Sequence, residues 1–336
     1  MPLQMLFKKS SDEKWIFGSF QLDFLGLFLP GYIGLIFVAL LSDQAMAVVV
    51  LGFIAVVLID SGHVYTTFLR GPFFKNKNNF KTLSSLFGIF IFLFTWLILK
   101  IPYFWSFIVY YTLFHHIRQY VGLIKWYNKL DHYYDSCLIL FFYASVLVSM
   151  LLFHVNPNET QLFYSYPGDI KYIPSDKLFK LLLVIQLLIW AIYFFYACYL
   201  FLFKKVKPYK SHLFFVFAIL FYFLVCLSNR QSPLVLVPIL FAHGIPYILL
   251  IIHSKEKLQI TTSKFKIIFL VLGFALMAAL IEFGLQQSVI QFEYLASPDI
   301  LPKVFLALFL TPLIFHYVID GYIWKSKHFL AEKIYS

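Results

Sequence analysis

The sequence predicts an all-α fold, a polytopic integral membrane protein with about ten transmembrane helices and both termini in the cytoplasm. Three observations predict it: the composition, the length of the apolar runs and the placement of Lys and Arg. Of the 336 residues, 61% are hydrophobic and 13% are charged, and the mean hydropathy is +0.82. Soluble domains carry about 25% charged residues, so this composition excludes a soluble globular fold.

The helices are predicted from ten apolar runs, each close to the roughly 20 residues that cross a hydrocarbon core. The runs are 22–41, 46–69, 80–99, 101–124, 134–154, 178–203, 211–229, 232–252, 265–286 and 300–324. Lys and Arg follow every second run and are sparse in the other connections. Positively charged loops stay in the cytoplasm, so the alternation predicts the orientation and accounts for the net charge of +11.

Three regions are expected along the chain. A cytoplasmic or interfacial segment, 1–21, precedes a single ten-helix transmembrane domain, 22–324, and a cytoplasmic tail, 325–336, follows it. The first segment lacks the small-residue cleavage site of a secretory signal. The absence of organelle targeting and the composition rich in Lys, Phe and Ile favour the inner membrane of a bacterium. Since the positive charge reflects membrane orientation, nucleic acid is not an expected partner.

Five histidines fall at one depth in the even-numbered helices, all of which run from outside to inside. Each lies about seven to ten residues before the inner end of its helix, or roughly 10–16 Å at 1.5 Å per residue. Ionisable groups inside a bilayer are costly and usually functional. We therefore expect a layer of metal ligands, in some subset of the five, in the cytoplasmic half of the membrane: His63, His115, His116, His243 and His316.

Polar side chains one helical turn away offer partners for these histidines. Asp60 and Asp320 each share a helical face with a histidine, as do Gln119 and Tyr247. A metal-bound imidazole commonly donates its other N–H to a carboxylate or amide, so the two aspartates are expected to be co-ligands or partners of ligands. Gln119, Tyr247 and Arg118, which lies one turn below the histidines, are expected to position a substrate or bound oxygen in the catalytic site.

The donor set predicts a metal ion, either one ion with open coordination positions or a pair of ions. Imidazole and carboxylate ligands suit iron, zinc, copper and manganese. A site buried near the cytoplasmic leaflet suits a membrane lipid or another hydrophobic substrate. Oxidation of inert C–H bonds requires activated oxygen, which favours iron, and the electrons would come from a partner protein on the cytoplasmic side.

Other functions remain open on the same residues. A proton- or ion-coupled transporter would use the His/Asp layer as a relay. A transmembrane haem protein would use two opposed histidines as axial ligands. Haem is less favoured than a metal ion as the cofactor. A zinc-dependent lipid hydrolase needs the same ligand types as an iron enzyme. A structural subunit would use the histidines for hydrogen bonds between helices.

Four short blocks carry the polar residues: "DSGHVYTTFLR", "FHHIRQYVG", "AHGIPY" and "FHYVIDGYIWK". In the kind of site they form, the chain resembles the integral-membrane histidine-cluster iron oxygenases, a group of desaturases, hydroxylases and carotenoid-cleaving dioxygenases. The HxxxH and HxxHH boxes of the desaturases are absent, and "FHHIRQ" is the nearest approach to them. The resemblance implies iron and oxidative chemistry on a lipid or another hydrophobic substrate.

Overall fold

The computed structural model describes residues 15–41, 44–69, 77–101, 103–157, 170–204, 209–228, 236–258, 263–289 and 300–323. Within these residues the chain is helical and contains no strand, which confirms the predicted all-α class. Eight helices in this part are long and apolar enough to cross a membrane. The count of ten spans and the cytoplasmic termini stay predictions, and the predicted tail 325–336 lies outside the described residues.

Ten long helical segments follow the ten apolar runs in the described part of the chain. They are α1 Phe20–Leu41, α2 Ala45–Leu69, α3 Lys77–Lys100, α4 Phe104–Leu130, α5 Ser136–Val155, α6 Asp176–Leu202, α7 Tyr209–Leu227, α8 Val237–Leu258, α9 Lys264–Val289 and α10 Ile300–Ile323. The eight apolar spans are all of these except α3 and α4. Helix α4 is less apolar because it carries His, Arg, Lys and Asn side chains.

Three helices begin at a side chain that caps the helix. Ser19, Asp135 and Ser175 each accept a hydrogen bond from the backbone N–H three residues further on. A cap of this kind satisfies an N–H group that has no carbonyl partner within the helix. These residues therefore mark the points at which α1, α5 and α6 begin.

The largest packed core joins α1, α4, α5 and α7 through aromatic rings. Phe28, Tyr127, Phe142, Phe214 and Phe215 are almost completely buried in it. The ring of Phe214 meets Phe28 edge to face with the centroids 5.0 Å apart, and its centroid is 5.4 Å from that of Tyr127. Each such pair contributes about 0.5–1.5 kcal/mol. This core fixes the position of α4, the helix that carries two of the predicted ligands.

Helix α8 is central to the rest of the bundle, where it packs against α1, α2, α4 and α9. Two glycines allow the close approach. A Cβ atom at Gly34 of α1 would lie 2.6 Å from Cα of Pro238, and one at Gly244 would lie 2.5 Å from Cγ2 of Ile59. Small residues are a common means of close helix packing in membranes. Helix α10 completes the group by packing against α2, α3 and α9.

Helix α2 departs from regular α geometry. Residues Ile54–Ser61 form π-helical turns, Gly62–Thr66 return to α geometry, and Thr67–Leu69 form a 3-10 turn. A π-helical turn contains more residues than an α turn and often occurs at functional sites. Here the π segment ends just before His63, so it sets the direction in which that side chain and Thr67 point.

At one end of the bundle, the turn between α4 and α5 is tied to the start of α7. Asp131 accepts hydrogen bonds from the backbone N–H and the hydroxyl of Ser211, both at 3.0 Å. One carboxylate oxygen lies 3.7 Å from Nζ of Lys210. Burial raises the pKa of Asp131 above its ordinary value, because the loss of hydration outweighs these favourable contacts.

A second carboxylate joins the same turn to α6 and α7. Asp135 accepts hydrogen bonds from the hydroxyl of Tyr196 at 3.0 Å, and its Oδ2 lies 3.4 Å from Nε2 of His212. Burial by itself would raise the pKa of Asp135, but hydrogen bonds from His212, from the N–H of Leu138 and from Tyr196 hold this pKa below its ordinary value. The charged carboxylate is therefore the form that the fold stabilises.

Candidate metal centre

Four helices bring the five predicted histidines into one cluster. The ring centroid of His63 in α2 lies 4.5 Å from that of His243 in α8 and 4.9 Å from that of His316 in α10. The ring of His115 in α4 lies 5.0 Å from those of both His243 and His316. Apart from His115, which is half-buried, all members are buried, including His116. The predicted layer is therefore a group of rings in mutual contact.

Two histidines of the cluster turn their Nε2 atoms toward each other. Nε2 of His63 lies 3.0 Å from Nε2 of His243. His316 completes a group of three whose ligand atoms all lie within 4.8 Å of one another, and its buried Nε2 has no hydrogen-bond partner. Two nitrogens that share one metal ion at about 2.0–2.1 Å stand roughly 3.0–3.4 Å apart. The observed separation matches that spacing, and it is also the length of an ordinary hydrogen bond between the two nitrogens.

The Nδ1 atoms of these rings are engaged elsewhere, and their partners fix the tautomers. Nδ1 of His243 contacts Oε1 of Gln119, while Nε2 of the same amide donates to the carbonyl of His243 at 3.2 Å. Nδ1 of His63 faces the carbonyl of Ile59 at 3.3 Å. Both acceptors require a proton on Nδ1, because an imidazole acceptor cannot pair with an oxygen acceptor. Both facing Nε2 atoms then carry lone pairs.

A chain of hydrogen bonds fixes the tautomer of His316 in the same way. The hydroxyl of Tyr247 donates to Asp320 at 2.6 Å, so it accepts from the hydroxyl of Thr67, which lies 2.7 Å away. The hydroxyl of Thr67 then accepts from Nδ1 of His316. Nε2 of His316 is thus a third nitrogen with a lone pair, and the three histidines form a buried group that could hold a metal ion.

Asp320 gives the cluster a second possible group of ligands. Its Oδ2 atom lies 3.7 Å from Nε2 of His316 and 3.9 Å from Nε2 of His115, and the three residues form a group with ligand atoms within 4.8 Å. Nε2 of His115 is buried without a hydrogen-bond partner. His316 belongs to both groups, which makes it the candidate ligand that they share.

His116 lies beside these groups and belongs to neither of them. Its ring stacks on that of His243 with the centroids 4.0 Å apart, and its buried Nδ1 has no hydrogen-bond partner. His115 stacks in turn on Tyr317, also at 4.0 Å. The two adjacent histidines of α4 thus face different surroundings, as the turn of about 100° between neighbouring helical residues requires.

The other predicted site residues take the following positions. Asp60 lies behind His63, with Oδ1 3.5 Å from Nδ1 of that ring. Gln119 and Tyr247 are in the cluster, but each meets a residue of another helix, as described above. Arg118 is outside the cluster, because its side chain is exposed and its guanidinium group lies 5.9 Å from the ring centroid of Phe114.

Thr67 is a site residue that the sequence reading missed. It is completely buried and links His316 to Tyr247. The only signal in the sequence is its spacing, four residues after His63, which places it on the same helical face. Threonine is common in membrane helices, and nothing in the sequence distinguishes Thr67 from its neighbour Thr66.

No family model, curated protein or solved structure matches this chain. The resemblance to histidine-cluster iron oxygenases therefore stays a prediction. The geometry alone shows that these His and Asp groups can bind a metal ion. It offers nitrogen ligands with fixed tautomers, one adjacent carboxylate and an environment from which most water is excluded.

Proposed function

We propose that the protein is a membrane-embedded metalloenzyme whose metal ion is bound at the histidine cluster. The observation that carries this proposal is the close approach of the imidazole rings of His63, His243 and His316, whose ligand atoms all lie within 4.8 Å of one another. Lone pairs that face one another repel unless a cation lies between them. A second partner that holds the other ring nitrogen is the usual arrangement around a metal-bound histidine, and all three rings have such a partner.

For the reaction, we propose oxidation of a lipid or another hydrophobic substrate with iron as the metal. The group of His115, His316 and Asp320 supports iron, because two histidines and one carboxylate are the ligands of many non-haem iron oxygenases. Iron bound there supplies oxygen activation, which no amino-acid side chain provides. The residues of the chain hold the ligands in orientation and exclude water, and a partner on the cytoplasmic side supplies electrons.

A zinc-dependent hydrolase of membrane lipids is the second candidate function. The group of His63, His243 and His316 favours it, because three histidines and one open position are the ligands of some catalytic zinc sites. In that case Asp320, whose Oδ2 lies 3.7 Å from Nε2 of His316, would accept a proton from the attacking water. The two candidates share His316 and differ in the other required ligands.

The proposed topology has ten spans with both termini in the cytoplasm of a bacterial cell. It is supported by the alternation of positive loops and by the ten helical segments of the described chain. The cluster would then lie in the cytoplasmic half of the inner membrane. Reporter fusions after the second and third helices should give opposite orientations for the two connections.

Metal analysis of the purified protein tests the proposal. We expect near-stoichiometric metal in the wild type and none in His316→Ala. If His63→Ala retains the metal and His115→Ala loses it, the result supports iron at His115, His316 and Asp320. If His115→Ala retains the metal and His63→Ala loses it, the result supports zinc at His63, His243 and His316. The control is His132→Asn, because His132 is exposed with φ 52°, a conformation that Asn tolerates. Absence of metal in the wild type, after purification without chelators, would overturn the metalloenzyme and leave a proton relay.

A further inference from the structure

An apolar cavity lies next to the cluster, on the side of His116. Its volume is about 90 Å³, and its walls come from α4, α5, α7, α8 and Ile170. The floor is buried and the rim is half-buried. The floor includes Tyr222, Val225 and Leu240. The rim includes Leu113, Met150 and Phe153.

The position of the cavity along the helices shows which side of the cluster it occupies. On α4 its walls lie before His116, and on α5 they lie near the end of the helix. The cavity is therefore on the side of the cluster that faces away from the Asp131 and Asp135 turn. In the proposed topology this side is the outer half of the membrane, opposite to the side from which electrons would arrive.

His116 is the one member of the cluster that lines the cavity. It is 3% exposed, and its Nδ1 atom lacks a hydrogen-bond partner. A buried polar nitrogen without a partner costs free energy, so a hydrogen-bonding group that reaches this ring from the cavity would be favoured. The ring also stacks on His243, so this ligand would lie beside the histidine cluster.

We propose, on the basis of the proposed function, that the cavity receives the end of an apolar chain with one uncharged oxygen, as in a long-chain alcohol or aldehyde. The oxygen hydrogen-bonds to the imidazole of His116, which acts as a substrate-positioning residue. The volume equals that of about three water molecules, so only the end of the chain enters and the remainder lies among the lipids. A charged headgroup is excluded, because an unpaired charge in an apolar cavity is very costly.

Photo-crosslinking of the full-length, metal-loaded protein tests this inference. The probes are a long-chain primary alcohol and an alkane of equal length, each with a diazirine near one end. We expect the alcohol to label residues of the cavity about five- to tenfold more than the alkane, the gain from one buried hydrogen bond. Leu113→Trp should abolish the labelling by filling the rim, and Leu113→Met, which conserves volume, should retain it.

A second variant separates positioning from other roles. In His116→Phe we expect the alcohol to lose its advantage over the alkane while the metal content stays at the wild-type level. Loss of metal in His116→Phe would overturn the inference by making His116 a ligand. Equal labelling by both probes in the wild type, or labelling unaffected by Leu113→Trp, would overturn it too. Absence of metal in the wild type would overturn the proposed function, whatever the labelling.

Discussion

Gly244 of α8 packs directly against Ile59 of α2. A Cβ atom at position 244 would lie 2.5 Å from Cγ2 and 3.1 Å from the carbonyl oxygen of Ile59. The same carbonyl faces Nδ1 of His63, and the residue before Gly244 is His243. The absence of a side chain at position 244 thus allows the two facing Nε2 atoms to stand 3.0 Å apart.

Gly244→Ala should therefore weaken both the packing and the metal centre. The added methyl group forces α2 and α8 apart, at a typical cost of about 1–3 kcal/mol, and separates His63 from His243, two of the three histidines in the first candidate group. Thermal unfolding and metal titration measure the two effects. Gly122→Ala is the control, because a Cβ there meets nothing within 4 Å. It should leave metal binding unchanged, and equal losses in the two variants would contradict the prediction.

Gln119→Leu should reduce metal affinity without abolishing the site. The variant removes the acceptor that holds Nδ1 of His243, and loss of such a partner typically costs about 10- to 100-fold in affinity. Competition with a chelator of known affinity measures the change. Gln119→Glu retains an acceptor and should lose much less. An affinity equal to that of the wild type in Gln119→Leu would show that the orientation of His243 does not depend on this amide.

Asp320→Asn and Asp60→Asn should have different effects, because the two carboxylates occupy different places. Oδ2 of Asp320 faces the Nε2 atoms of His115 and His316, whereas Asp60 lies at Nδ1 of His63. We expect Asp320→Asn to change metal stoichiometry or the visible spectrum, and Asp60→Asn to lower only the affinity. Identical spectra and stoichiometry in all three proteins would exclude Asp320 as a ligand.

Tyr247→Phe should disturb the site through hydrogen bonds alone. The variant removes the hydroxyl that donates to Asp320 and accepts from Thr67, at a cost of about 1–3 kcal/mol. Thermal unfolding measures the loss. Tyr317→Phe is the matched control, since its hydroxyl also makes a buried hydrogen bond, to Thr112 at 3.0 Å. Both should be destabilised, but only Tyr247→Phe should also lower metal affinity.

The two carboxylates in the turn between α4 and α5 predict a dependence on pH. The pKa of Asp135 lies below its ordinary value of 3.8 in the folded protein, so its stabilising contribution is present above pH 3.8 and is lost as the pH falls further. Asp135→Asn should lower the melting temperature at pH 7, and the difference from the wild type should narrow toward pH 3.

Asp131 is the matched comparison, because the pKa of Asp131 is raised. Its contribution is fully present below its unfolded pKa and is lost as the pH rises through the folded pKa. Asp131→Asn should therefore cost less stability at pH 7 than Asp135→Asn. A greater loss of stability in Asp131→Asn than in Asp135→Asn at pH 7 would contradict the raised pKa of Asp131 and the lowered pKa of Asp135. The melting temperature of each variant in detergent, measured from pH 7 to pH 3, decides the point.

The helices and the common level of the histidines along them could be predicted from the sequence, because both depend on position along the chain. Contacts within one helical turn also follow from spacing: Asp60 lies near His63, and Asp320 lies near His316. Contacts between helices do not follow in this way. Gln119 shares a face with His115, yet its amide meets His243, 124 residues away.

The physical reason is that apolar residues surround most of these helices. The rotation of a soluble helix can be inferred from its apolar stripe, but a membrane helix is apolar on the faces toward lipid and toward protein alike. The sequence therefore gives little information on which way Tyr247 or Arg118 points. Tyr247 reaches Asp320 inside the cluster, and Arg118 is exposed beside Phe114.

The π-helical segment Ile54–Ser61 can absorb a change in chain length. A π turn holds more residues than an α turn, so deleting one residue within it would allow the segment to relax to α pitch while His63 and Thr67 stay close to their places. The regular α segment Gly62–Thr66 has no extra residue. Deleting one residue there, between His63 and Thr67, would turn Thr67 by about 100° around the helix axis relative to His63, while the hydrophobic span would still cross a bilayer.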